Sequence, residues 1–223
     1  MLNKLISEQN DVHNQNLFIK KFSLPILLAF LFALFNQLSG INAFLYYAPR
    51  IFESAGLESS SALLGTIGIG IANLIFTLLG LYLIDKVGRK SLMYIGSIGY
   101  IISLSLVSLA FINSWEGLSV PLFLFIFIAS HAMGQGAVIW VFISEIFPNK
   151  LRAKGQSLGS SVHWILAAII TLVMPTALSY FNNPGYVFIF FAFMMVLQLL
   201  FVAFLMPETK GISLEDLSKK LSS

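Results

Sequence analysis

The sequence contains no cysteine and few charged residues. Because none of its 223 residues is a cysteine, disulfide bonds and thiol chemistry play no part in this protein. Lysine, arginine, aspartate and glutamate make up 10% of the chain, whereas they make up about 25% of an ordinary soluble domain. Hydrophobic residues make up 57%. This composition is typical of a membrane protein.

Charge is also missing from the interior of six long apolar runs. The runs lie at about 23–48, 62–84, 92–112, 120–143, 157–179 and 185–206, and none has Asp, Glu, Lys or Arg well inside it. A helix needs about 20 mostly apolar residues to cross the hydrocarbon of a bilayer. Since the runs are continuously apolar and do not alternate, they are unlike the strands of a membrane β-barrel. The sequence therefore predicts an all-α membrane protein with six transmembrane helices.

The basic residues fall almost entirely on one side of the predicted membrane. If the loops alternate between two sides, Arg50 stands alone on one side, and the other 12 of the 13 Lys and Arg residues share the side of the termini. Basic loops stay in the cytoplasm. We therefore expect a multi-pass protein of the bacterial inner membrane or the plasma membrane, with both termini cytoplasmic. Residues 1–22 are polar and do not resemble a cleavable signal sequence. The basic pI thus reflects topology and not a nucleic-acid partner.

Two of the six predicted spans are interrupted by polar residues and glycines at similar depths. The first span is interrupted by Asn36, Gln37, Gly40 and Asn42, and the fourth by His131, Gly134, Gln135 and Gly136. The spans thus form two triplets that cross in opposite directions. Inverted repeats with broken helices at matching positions point to the binding site of a transporter. The alternative is that the small residues only let neighbouring helices pack closely.

Other polar side chains at membrane depth are few, and none is a carboxylate. They are Asn73, Trp140, His163 and Trp164. Amides donate and accept hydrogen bonds, and an indole can stack on the apolar face of a sugar while its N–H donates. These groups suit a neutral polyhydroxyl solute better than an ion. Alternatively, a buried Asn or His makes only an interhelical hydrogen bond.

Four motifs give the chain a family resemblance. They are Asn36–Pro49 (NQLSGINAFLYYAP), Asp85–Lys90 (DKVGRK), Ser144–Arg152 (SEIFPNKLR) and Pro207–Gly211 (PETKG). In this order and spacing they resemble the sugar porter family of the major facilitator superfamily, from about residue 15 to residue 217. The resemblance covers only the C-terminal six-helix half of that family, in which a sugar binds between two six-helix bundles.

The resemblance implies roles for individual residues. Substrate contacts fall on Asn36, Gln37, Asn42, Asn73, Gly136, Trp140 and His163. Tyr46 and Tyr47 match the tyrosines of the outer gate. A cytoplasmic charge network, which holds the two bundles together when the site faces outward, falls on Asp85, Arg89, Lys90, Glu145, Arg152 and Glu208.

Several positions depart from the family pattern. Asn36 stands where a second glutamine is usual, and His163 stands where an amide is usual. Ala132 replaces a glutamate found in some members, and Ala137 and Ile139 replace prolines. These departures bear on the substrate contacts and on the flexibility of the fourth span.

We therefore expect residues 1–22 to be the remnant of a cytoplasmic linker, residues 23–206 a six-helix bundle of two inverted three-helix repeats, and residues 207–223 a cytoplasmic tail. The expected function is that of the C-terminal half of a hexose or pentose transporter that works by alternating access. Proton coupling is left open. The alternatives are an inert truncated fragment and a sugar sensor, although the short tail argues against sensing.

The expected partners are a neutral sugar, the bilayer, and an N-terminal half or a second copy of the chain. The half is expected as a separate chain or as a missing part of this one. No cofactor or metal is expected. An enzyme is not supported, because paired carboxylates, metal-spaced histidines and a nucleophile beside a base are lacking at membrane depth.

Overall fold

The computed structural model describes residues 16–115 and 117–221, and within them the regular structure is helical. The helices are α1 (Ser23–Leu38), α2 (Ile41–Ser54), α3 (Ser59–Val87), α4 (Arg89–Ile112), α5 (Ser119–His131), α6 (Ala137–Ile146), α7 (Arg152–Tyr180), α8 (Gly185–Phe204) and α9 (Leu214–Leu221). A π turn, Ala132–Gly136, joins α5 to α6, and a 3-10 turn, Lys20–Phe22, precedes α1. Most of the expected linker, residues 1–15, lies outside the described residues.

Six helical segments are long and apolar enough to cross a membrane, which confirms the predicted spans. They are Lys20–Ser54, Ser59–Val87, Arg89–Ile112, Ser119–Ile146, Arg152–Tyr180 and Gly185–Phe204. The connections are shorter than the sequence predicts. A loop at 85–91 is expected, but only Gly88 separates α3 from α4. Across Gly88, Arg89 at the start of α4 pairs with Asp85 at the end of α3 and donates to the carbonyl of Ile84.

Helix contacts follow the expected inverted repeat. The third span of each triplet, α4 and α8, pack along one another. The first span of one triplet packs on the second span of the other, as α1 on α7 and α3 on the segment α5–α6. The second spans are also the least buried, with 17% of the most apolar window of α3 and of α7 inside the bundle, against 44–61% for the other four spans. The two triplets thus occupy equivalent places, and the second span of each is largely exposed.

The apolar core is divided into two clusters. One is built around Phe44, which stacks on Phe188 with ring centroids 5.0 Å apart and planes 4° apart. The other is built around Phe32, whose ring centroid lies 5.1 Å from that of Phe142. The end of α1 contributes to the second cluster and the start of α2 to the first. The polar junction between α1 and α2 therefore lies where one cluster gives way to the other.

The segment after the last span is ordered against the bundle. The sequence treats residues 207–223 only as a tail, but they contain the amphipathic helix α9. Its Leu217 and Leu221 are buried in the cluster of Phe32, together with Leu17 and Phe147. This helix therefore closes one end of the second apolar cluster.

Candidate functional site

The junction between α1 and α2 is shaped by a glycine and a serine. Gly40 has φ +82°, and a Cβ atom there would lie 2.7 Å from Cε2 of Phe44. Only glycine adopts this left-handed conformation at no steric cost. The Ser39 hydroxyl donates to the carbonyl of Asn36 at 2.6 Å and accepts from the N–H of Ile41 at 3.3 Å. One helix therefore ends and another begins inside the first span.

Four of the predicted substrate-binding residues meet at this junction. The Asn42 amide nitrogen donates to the Gln37 amide oxygen at 3.0 Å, and the Gln37 amide nitrogen donates to the Asn36 amide oxygen at 2.9 Å. The same Gln37 nitrogen lies 3.1 Å from each ring nitrogen of His163. Asn36, Gln37 and His163 are 2%, 1% and 9% exposed. We call these four residues the amide relay; it links the first span to the fifth.

The hydrogen-bonding capacity left in the amide relay is unequally distributed. A carboxamide has two N–H donors and one oxygen with two lone pairs. Gln37 directs its nitrogen to two partners and its oxygen to a third, so it is nearly satisfied within the chain. The oxygen of Asn42 and the nitrogen of Asn36 make no hydrogen bond within the described part of the chain. These two amides are therefore better placed than Gln37 to bond a solute.

An indole lies beside the relay. The ring centroid of Trp140 is 5.1 Å from that of His163, and the centroid of Trp164 is 5.0 Å from it. Trp140 is 36% exposed, so one part of its ring is open. Asn73, the remaining predicted amide, is half-buried on α3 and makes no side-chain hydrogen bond to another described residue. The structure thus joins Trp140 to the relay through His163 and leaves the amide of Asn73 unbonded.

The second break is a π turn and not a gap between two helices. A Cβ on Gly134 would lie 2.9 Å from Cα of Gly96, so α4 touches the turn backbone to backbone. A Cβ on Gly136 would lie 3.2 Å from the ring of His131. Single π turns within α-helices are frequent at functional sites. Gly136, predicted as a substrate contact, therefore lies in a distorted helix beside a polar ring.

Tyr100 on α4 is a polar residue of this region that the sequence reasoning missed. Its hydroxyl is hydrogen-bonded to Nδ1 of His131 and donates to the amide oxygen of Gln135 at 3.2 Å. Tyr100 is fully buried, and the amide nitrogen of Gln135 is buried without a partner among the described residues. A tyrosine in the middle of a span needs a hydrogen-bond partner. The position of Tyr100 within the third span could therefore have pointed to a polar cluster.

The predicted gate tyrosines lie at the edge of a groove. Tyr46 is 65% exposed and Tyr47 is half-buried. With Trp164, Ala167 and other residues of α7 they line a groove of about 430 Å³. The groove therefore runs along the open face of α7, toward the indoles beside the relay.

The predicted charge network is centred on Arg89, the first residue of α4. Its guanidinium bonds both oxygens of Glu145, at 2.7 and 3.2 Å, and Oδ1 of Asp85, at 2.8 Å. Thr209 donates its hydroxyl to Glu145 at 2.6 Å. Arg89 is 8% exposed, whereas the Asp85 side chain is 79% exposed. The Arg89–Glu145 pair is therefore the shielded part of the network, since exposed pairs are worth at most about 1 kcal/mol.

Glu208 joins the network through backbone groups. Its carboxylate accepts from the N–H groups of Arg89 and Lys90, each at 3.0 Å, and of Thr209 and Lys210, each at 2.9 Å. Burial by itself raises the pKa of the Glu208 carboxyl, but the four N–H donors outweigh burial, and its pKa lies below the usual value. An anion at a helix N-terminus is favourable, so Glu208 caps α4.

Gly88 makes that cap possible. It has φ +101°, and a Cβ atom there would lie 2.6 Å from Oε2 of Glu208. The glycine of the DKVGRK motif therefore leaves room for the carboxylate to reach the first N–H groups of α4. Neither this requirement nor the part played by Thr209 was identified from the sequence.

Two basic residues of the predicted network bond to neutral groups instead. Lys90 donates its Nζ to the carbonyl of Ala203 at 3.2 Å. Arg152 donates Nε to the carbonyl of Ser144 at 2.9 Å and Nη2 to Asn149 at 2.6 Å. Within the described ranges neither forms an ion pair. Lys90 and Arg152 therefore bond to carbonyl oxygens, while Glu145 and Glu208 bond to Arg89, to Thr209 and to backbone N–H groups.

Comparison with known proteins identifies the family to which this fold belongs. A family model described as "Sugar (and other) transporter" matches residues 1–221. The D-xylose-proton symporter of Escherichia coli (strain K12) is 36% identical over 198 residues, which cover 86% of this chain and 40% of that protein. The probable metabolite transport protein CsbC of Bacillus subtilis is 41% identical over 197 residues, which cover 85% of this chain and 42% of that protein.

Solved structures agree with the fold. The proton:xylose symporter XylE bound to 6-bromo-6-deoxy-D-glucose matches with a TM-score of 0.80 and 35% identity over 88% of this chain and 42% of that chain. An inward open conformation of the xylose transporter XylE from E. coli matches with a TM-score of 0.80 and 32% identity, over 98% of this chain and 46% of that chain. The chain spans about 40% of the length of the curated relatives that it matches. It belongs to the sugar (and other) transporter family of multi-pass membrane proteins.

Proposed function

We propose that this chain forms the C-terminal half of a monosaccharide transporter that works by alternating access. The observation that carries the proposal is the amide relay beside the open indole of Trp140, at the break of the first span. Relatives described as symporters of D-xylose and of arabinose and as glucose transporters support a pentose or hexose as the solute.

The chemistry of the site fits a neutral sugar. Each sugar hydroxyl both donates and accepts a hydrogen bond, and the unused oxygen of Asn42 and nitrogen of Asn36 offer one group of each kind. Trp140 can stack on the apolar face of the ring. Asn73 and Gly136 complete the proposed set of contacts, with Tyr46 and Tyr47 at the outer end of the groove. None of the proposed contacts is a carboxylate, a lysine or an arginine, which favours a neutral solute over an ion.

In the proposed transporter, this bundle lines only one side of the sugar site. The low burial of α3 and of α7 and the coverage of about 40% of the relatives support a second six-helix unit packed on this bundle. We propose that this unit is an N-terminal half, as a separate chain or as a preceding part of the same protein, or a second copy. The site would then be closed only in the assembled transporter.

We further propose that the charge network marks the cytoplasmic end of the bundle, with both described chain ends on that side. The distribution of Lys and Arg supports this orientation. Because Arg89 and Glu145 form a shielded pair, their separation would accompany inward opening. Glu145→Gln should raise the inward-open population in a distance measurement between spin labels; an unchanged distribution would contradict this role.

Sugar uptake tests the main proposal. The chain would be produced with and without an N-terminal sugar porter half and reconstituted into vesicles, and labelled xylose and glucose would be added. Trp140→Ala should lower affinity about tenfold, the equivalent of one stacking or hydrogen-bonding contact. Trp115→Ala, in a described loop away from the relay, is the matched control. No sugar binding in any of these preparations would overturn the proposed function.

A further inference from the structure

His163 stands at one end of the amide relay, and its contact with Gln37 has an unusual form. The Gln37 amide nitrogen is 3.1 Å from Nδ1 and also 3.1 Å from Nε2 of the same ring. A neutral imidazole has one donor and one acceptor nitrogen, whichever tautomer is present. In either tautomer one ring nitrogen can accept from the amide nitrogen, while the other carries an N–H group. In the imidazolium both nitrogens are donors, and the contact loses its acceptor.

Protonation of His163 would reverse the direction of the relay. Facing two donors, the Gln37 carboxamide must turn its oxygen toward His163, which brings its nitrogen to Asn42. Asn42 must then accept with its oxygen, so the group that it leaves for a solute changes from an oxygen to an amide nitrogen. Asn36 must likewise donate to Gln37 instead of accepting. One proton thus exchanges donors for acceptors at both free amides.

Among the described residues, no carboxylate forms an ion pair with His163. Its ring and hydrogen-bond contacts among the described residues are with Trp140, Trp164 and Gln37. His131, the other described histidine, would carry the same sign of charge if it were protonated. The described ion pairs involve only Asp85, Arg89 and Glu145 at the helix ends. A sugar that covers the ring would remove water from an unpaired cation, which is unfavourable.

From these contacts we propose that His163 is a positioning residue that sets the direction of the amide relay, so that sugar affinity falls when His163 takes up a proton. The proposal rests on the proposed function, and it assigns to His163 a task other than direct contact with the sugar. An amide at this position, as is usual in sugar porters, donates and accepts at every pH, whereas a histidine side chain loses its acceptor when it takes up a proton.

The first test measures sugar affinity from pH 8 to pH 5 for the full chain, assembled with its N-terminal half where uptake requires it. The wild type should lose about tenfold in affinity on acidification, the equivalent of one net hydrogen bond. His163→Gln should have a flat profile. His131→Gln removes the other described histidine and should keep the wild-type slope. An identical slope in His163→Gln and the wild type would overturn the proposal.

The second test needs no sugar. In chain labelled with ¹⁵N-glutamine, the side-chain amide resonance of Gln37 should shift between pH 8 and pH 5 in the wild type and stay constant in His163→Gln. A resonance that does not move in the wild type, or that moves equally in both, would overturn the proposal. Absence of sugar binding at every pH would instead overturn the proposed function, while the resonance still reports on the relay.

Discussion

The first and the fourth span are both interrupted at similar depths, but the backbone conformation at the two interruptions differs. In the first span the helix stops at Leu38 and restarts at Ile41, and Gly40 between them is left-handed. In the fourth span the backbone stays helical through a π turn, and Gly136 has φ −61°. The first break exposes amides to one another. The second brings α4 so close that Gly96 touches Gly134.

The difference shows that matching positions in an inverted repeat need not share a mechanism. A gap in the helix frees backbone groups that Ser39 must satisfy, and it turns the amides into a relay. A π turn keeps the backbone bonded and instead admits a neighbouring helix. The first break is thus a polar site, whereas the second is a close packing contact with a small polar cluster, Tyr100–His131–Gln135.

The largest effect is expected at the packing contact of the second break. Gly134→Ala places a Cβ 2.9 Å from Cα of Gly96 and 3.1 Å from the carbonyl oxygen of Leu92. Since both are backbone atoms, α4 must move, and we expect a loss of about 3 kcal/mol in the free energy of unfolding. Unfolding in detergent micelles measures it. Gly70→Ala, where nothing lies within 4 Å, is the control and should be neutral or slightly stabilising.

Smaller losses of stability are expected at Gly40 and at Gly136, and they should differ because only Gly40 has a left-handed backbone. Gly40→Ala forces an alanine into the left-handed region and should cost about 2 kcal/mol. Gly136→Ala, at a helical position whose Cβ would lie 3.2 Å from the ring and from the carbonyl oxygen of His131, should cost about 1 kcal/mol. Equal losses for Gly40→Ala and Gly136→Ala would show that the two breaks are alike after all.

The polar cluster of the second break should contribute less. Tyr100→Phe removes the hydroxyl that bonds His131 and Gln135, and we expect a loss of about 1 to 1.5 kcal/mol in stability. Tyr46→Phe, on an exposed tyrosine, is the matched control. If both variants unfold alike, the cluster does not stabilise the π turn.

The smallest effect is expected at the serine of the first break. Ser39→Ala removes the hydrogen bonds to the Asn36 carbonyl and the Ile41 N–H, and should cost about 0.6 kcal/mol, the average for hydrogen bonds inside membrane proteins. Ser39→Thr keeps the hydroxyl and tests whether the bond or the volume matters. A loss equal to that of Gly40→Ala would mean that Ser39 holds the junction open.

Apolar runs and glycines were sufficient to predict the six spans and both breaks. The form of the second break was not predictable, because its π turn is supported by Gly96, a residue 38 positions before Gly134. His163 was associated with Gln37 only through the family resemblance, since 126 residues separate the two and no local pattern relates them. The charges of Arg152 and Glu208 predicted ion pairs. They could not predict that Arg152 bonds to carbonyl oxygens or that Glu208 accepts from backbone N–H groups.

The cap that Glu208 provides has a practical consequence for anyone who handles this protein. The segment that follows the last span is hydrogen-bonded to the first turn of α4, so it is part of the folded bundle. Cutting the chain after Met206 would leave the leading N–H groups of α4 without their acceptor. A purification tag or reporter is best fused beyond Leu221, where it leaves both these hydrogen bonds and the helix that follows them undisturbed.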